Sequence, residues 1–67
     1  MNGIEEATRL VAAGQEAKAL QILHRAVDAT HDPELLRQIH ELAETTHESS
    51  RGFHKIEWHR LMLETEE

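Results

Sequence analysis

The sequence predicts an all-α fold, a small antiparallel bundle of three to four helices forming one domain over 1–67. Three observations carry that prediction. The residues are rich in Ala, Leu, Glu, Gln, Lys and Arg, the good helix formers, whereas Tyr is absent and Phe and Val are scarce. Apolar positions recur at i, i+3, i+4 and i+7 rather than in alternation. Helix stop and start signals, above all Gly14 and the Asp32-Pro33 step, cut those periodic stretches into helix-sized lengths.

A first helix is expected over 3–13. Asn2 is a suitable N-cap, and Glu5 stands three residues later, where a capping-box acid belongs. Ile4, Ala7, Leu10 and Val11 form one stripe. Gly14 then ends the helix, because glycine enters the left-handed conformation without a Cβ penalty. A second helix is expected over 16–30, with Ala19, Leu20, Leu23, Ala26 and Val27 on its apolar face and Ile22 at the flank. The connection is short, so these two helices must be antiparallel neighbours.

Asp32-Pro33 is the clearest helix start. Asp32 offers a capping carboxylate, and Pro33 has the φ of a first helical position and no amide to leave unpaired. Leu35, Leu36, Ile39, Leu42 and Ala43 continue on one face, and the helix should weaken near 45–48. The stretch 45–52 holds no large apolar residue, and Ser49 or Ser50 suits the cap of a fourth helix. One continuous helix is the competing reading. It would place Leu35, Ile39, Leu42, Thr46, Ser49, Phe53, Ile56, Arg60 and Leu63 on a single 4-3-4-3 seam. The polar middle of that seam weighs against it, so a break is favoured.

The fourth helix, expected over 51–64, is apolar on more than one face. Phe53, Ile56 and Leu63 share one side, and Trp58, Leu61 and Met62 cover another. Either this helix lies deep in the domain or its second face meets another chain. Trp58, Leu61 and Met62 are the predicted partner contact, since Trp is enriched at interface hot spots and Met adapts to varied surfaces. The competing reading has Trp58 closing the domain's own core.

The stretch 14–27 resembles the tetratricopeptide repeat, a helix–turn–helix unit of about 34 residues. Gly14, Ala19, Leu23 and the pair Ala26-Val27 match that family's pattern in type and spacing. The first helix lacks the family's Trp and Tyr, Pro33 comes two residues late, and the pattern does not resume at Leu42 or Gly52. The resemblance covers about half the chain. It implies a tetratricopeptide-like first hairpin and a partner-binding role, because such arrays hold peptides or protein surfaces.

Charge and composition exclude several classes. The net charge is −6 with histidines neutral, and the seven Lys and Arg residues are scattered among acids, which argues against nucleic acid. No apolar run approaches the ~20 residues of a membrane span, and Glu5 and Glu6 stand where the basic region of a signal peptide would be. A cytoplasmic protein is the expectation. Cysteine is absent, so neither disulfides nor thiolate metal sites support the fold. A chain this short has a marginal core, which favours self-association, a homodimer in the simplest case.

Chemistry is sparse. No nucleophile has a plausible triad and no phosphate-binding loop exists, so no enzymatic activity and no cofactor are expected. Six histidines are many for this length. His40, Glu44 and His47 fall on one stripe and define the runner-up, a metal-binding bundle completed in a dimer. Weakly paired boundary residues are the plainer reading of the same trio. The leading expectation is a small protein–protein interaction module that self-associates through its last helix. A third is an accessory subunit without activity of its own.

Overall fold

The computed structural model describes residues 3–66 and contains four helices among them: α1 (Gly3–Ala12), α2 (Glu16–Ala29), α3 (Pro33–Ser49) and α4 (Gly52–Glu64). The all-α bundle is therefore observed, with four helices rather than three. Helices α1 and α2 form one extensively packed hairpin, and α3 and α4 form a second. The hairpins meet through α2 against α4 and α1 against α3. The Cα trace measures 30 × 25 × 16 Å. Its shortest dimension is that of two helix layers about 8–10 Å apart, so every helix keeps one side turned outward.

Local chemistry explains each boundary. Gly14 has φ +78°, and two bonds close the end of α1: Gly14 N–H to the Val11 carbonyl (3.0 Å) and Gln15 N–H to the Leu10 carbonyl (2.8 Å). This is the Schellman arrangement of a glycine-terminated helix. Asn2 lies outside the described residues. Asp32 caps α3 as expected, its Oδ1 accepting the Glu34 N–H at 3.0 Å, with Pro33 in the first turn. Thr30 supports that turn by accepting the Asp32 N–H at 3.1 Å.

The chain breaks between α3 and α4, and the continuous helix is not formed. Ser50 and Arg51 are extended, and Gly52 enters α4 at φ +60°. The break differs from its sequence-based form in one respect. Neither Ser49 nor Ser50 caps α4. Arg51 holds the cap position without a side-chain bond, and the Ser50 hydroxyl is used elsewhere.

The core consists of Ala7, Ala19, Leu20, Leu23, Ile39, Ala43, Trp58 and Leu61, ringed by half-buried residues such as Leu10, Val27, Leu42 and Met62. Three fully buried alanines, one each on α1, α2 and α3, let the backbones approach and make room for Trp58, the largest fully buried side chain. Thr46 is buried too, which explains how α3 can present a polar residue inward at the position where the apolar seam lapses.

Gly52→Ala should lower stability by about 1–2 kcal/mol, because an L side chain must then enter the left-handed region. A Cβ there meets no atom within 4 Å, so the cost is one of backbone conformation alone. The expected readout is a lower urea midpoint with an unchanged slope.

Candidate interaction surface

One carboxylate fixes the placement of α4. Glu16 opens α2, and its Oε1 accepts two hydrogen bonds, from the Ser50 hydroxyl (2.5 Å) and from the Trp58 indole Nε1–H (2.7 Å). Both donors belong to groups that burial would otherwise leave unpaired. The Ser50 bond holds the Glu16 carboxyl below its ordinary value of 4.5. Partial desolvation opposes that shift, and the Trp58 bond and the nearby His54 add to it. At the other end of α4, His40 Nδ1 lies 2.9 Å from the Met62 carbonyl oxygen and 3.2 Å from the Thr65 hydroxyl. An Nδ1–H donated to that carbonyl satisfies one of the orphan acceptors at a helix C-terminus. His24 Nδ1 stands 3.7 Å from Glu64 Oε2 and adds a tie from α2.

These ties set the rotation of α4 about its axis. At 100° per residue, Trp58, Leu61 and Thr65 form one stripe, and Phe53, Ile56, Arg60 and Leu63 form the opposite one. The first stripe is buried. Trp58 and Leu61, the expected partner contact, lie wholly inside the chain's own core, and Met62 packs half-buried against it. The folded chain does not offer Trp58 or Leu61 to a partner. The side that faces out is the other one: Phe53 is 71% exposed, Ile56 60% and Leu63 54%. Their 3-4-3 spacing, with Arg60 as the fourth member, is that of a helix–helix seam. A groove of about 390 Å³ between α2 and α4, lined by Lys18, Gln21, His24, Phe53 and Glu57 among others, adjoins this stripe at Phe53.

The histidine trio is not assembled. His40 turns to the C-terminal end of α4, Glu44 is exposed, and His47 meets His59 of α4, with ring centroids 5.3 Å apart. Among the described residues no group of three or more His, Cys, Asp or Glu side chains could hold a metal ion. A second cleft, of about 540 Å³, lies between the start of α3 and the end of α4. Its Arg37 is already committed to Glu34 and Glu41 on its own helix, at 2.5 and 2.6 Å. No described helix is long and apolar enough to cross a membrane.

Glu16 and Ser50 were not identifiable as key residues from local pattern. The one available signal was Trp58 itself, since a buried indole N–H requires an acceptor somewhere in the chain. No protein-family model matches this chain, and comparison with curated proteins and with solved structures gives no match either.

Glu16→Ala should cost about 2–4 kcal/mol, because it strands two buried donors at once. Glu16→Gln keeps an acceptor and should cost roughly 1 kcal/mol. The linkage to pH has a definite sign. The folded-state value of Glu16 lies below the unfolded one, so its stabilisation is fully present above about pH 4.5 and is lost as pH falls through the lower folded value. Thermal melts of the wild type and of Glu16→Gln should therefore converge on acidification below pH 4.5.

Proposed function

We propose that the chain is a protein–protein interaction module that pairs with a second copy of itself through the outward stripe of α4. The observation that carries this reading is the exposure of Phe53, Ile56 and Leu63 along one line of a helix whose opposite side is fully buried. Three large side chains at these exposures offer roughly 300–400 Å² of apolar surface, the size of the largest patch on an ordinary monomer, a patch that is often functional. A specific complex buries ~800 Å² per partner, so the pair must also cover the polar rim of the same helix and the adjoining groove. The resemblance of 14–27 to a tetratricopeptide unit supports the same class of function.

A second copy is the occupant favoured by the stripe's own pattern. Self-pairing buries the same apolar line on both sides through a single two-fold contact. Arg60 decides the direction. In a parallel, in-register pair, Arg60 would stand against its own copy. An antiparallel pair centred near residue 58 sets Phe53 against Leu63 and Arg60 against Ile56. There the Arg60 stem covers apolar surface while its guanidinium reaches outward. Arg60 already lies 3.8 Å from Glu57 on its own chain, and that ion pair offsets the meeting of Glu57 with its copy across the two-fold axis.

Sedimentation at increasing concentration should show a monomer–dimer equilibrium. Phe53→Glu or Ile56→Glu should abolish it while leaving helix content unchanged and the melting temperature at that of the dilute, monomeric wild type, independent of concentration. Trp58→Ala should instead lower stability by about 3–5 kcal/mol, because it empties the centre of the core. A wild-type chain that stays monomeric to millimolar concentration would overturn the self-pairing reading.

A further inference from the structure

We propose that His47 and His59 form half of a binding site for a zinc-class divalent ion, and that the two-fold axis of the α4 pair joins two such halves into one four-imidazole site. The inference rests on the self-pairing reading for its second half only. The first half stands on the geometry of a single chain.

His47 projects from α3 and His59 from the adjacent face of α4, so the two imidazoles meet across a helix–helix boundary. Their ring centroids are 5.3 Å apart and their planes are tilted by 31°. Two imidazoles bound to one tetrahedral ion, with metal–nitrogen bonds of about 2.0–2.1 Å, have centroids roughly 5 Å apart. The centroid spacing matches that of a chelating pair, and binding requires side-chain rotation that turns one nitrogen of each ring toward a common point. His47 Nδ1 faces the Glu44 carbonyl oxygen at 3.4 Å. A proton held at that nitrogen leaves Nε2 with its lone pair, which is how a backbone carbonyl orients a metal-binding histidine. His59 is exposed, with room to rotate. Lys55, one turn before His59, is also exposed and free to swing its charge away, and the exposed Glu44 and Glu48 beside His47 offset it.

The pairing geometry supplies the other two ligands. On α4, His59 flanks the outward stripe on the side of α3, one residue from the centre of that stripe. In an antiparallel helix pair like flanks face each other, so His59 meets His59 of the second copy close to the two-fold axis, with both His47 side chains just behind. Four neutral imidazoles around one point make a closed tetrahedral site, the arrangement zinc takes when it holds structure together. Because such a site exists only in the pair, metal binding would favour the dimer by mass action.

The test uses the tag-free full chain, titrated with zinc chloride in a calorimeter and sized by light scattering with zinc or with a chelator. The expected result is one zinc per two chains, a zinc-dependent shift from monomer to dimer mass, and the visible absorption of tetrahedral cobalt when Co²⁺ replaces zinc. His47→Ala and His59→Ala should each weaken uptake by at least about 100-fold, and His31→Ala, at an exposed position away from the pair, should not. Circular dichroism checks that the variants fold. A dimer that takes up no zinc would overturn the metal site and leave the pairing intact. One zinc per monomeric chain, or uptake unchanged in His59→Ala, would equally refute the shared site. A monomer that binds nothing would remove both proposals.

Discussion

The structure depends on a single carboxylate. Glu16 sits in the first turn of α2, yet its partners, Ser50 and Trp58, belong to the second hairpin. The bond to Trp58 removes the penalty of about 1–3 kcal/mol that an indole N–H without an acceptor would carry into the core. The bond to Ser50 holds the extended residue that separates α3 from α4. Together they fix where α4 begins and which of its sides turns inward. The outward stripe is thus a consequence of a hydrogen bond on the opposite side of the helix.

This dependence explains which parts of the structure can be read from the sequence. Gly14 and Asp32-Pro33 act through their own backbone conformation and through partners within a few residues, so the boundaries they set are legible. The stripes of α1, α2 and α3 are legible for a related reason: each helix has one apolar side, and burial has no alternative. Helix α4 has two apolar sides. Its pattern states that both matter and gives no basis for choosing between them. The choice is made by an acceptor 42 residues away, which no periodicity reports. Tryptophan suits an interface and a core alike, and here a charged acceptor on α2 lets Trp58 be buried whole, as the competing reading had it.

Ser50 and the histidines show the same limit in different forms. Ser50 has the right type for a helix cap, but a cap accepts backbone N–H groups at the residue just before the helix, and α4 begins at Gly52, which leaves that place to Arg51 while the Ser50 hydroxyl donates to Glu16. His40, Glu44 and His47 share a stripe of α3 by helical spacing alone. The neighbouring helix then divides them, since His40 meets the Met62 carbonyl and the Thr65 hydroxyl at the end of α4 and His47 meets His59. A stripe on one helix is a necessary condition for a site and not a sufficient one. What assembles side chains is the second helix, and its register comes from tertiary packing.

The exposed stripe also bears on how so small a protein is stabilised. Two layers of two helices cannot cover both sides of any helix, and without cysteine the chain has no covalent support. Its core gains density from alanines on α1, α2 and α3 that close around one tryptophan, an economical solution that leaves few large side chains inside. The remaining large ones, Phe53, Ile56 and Leu63, are outside. Exposed apolar residues of this size do nothing for a solitary monomer and raise its tendency to aggregate. Placed in line at seam spacing, they are the surface on which the proposed pairing rests, because a second copy laid along them would bury what the single chain leaves exposed.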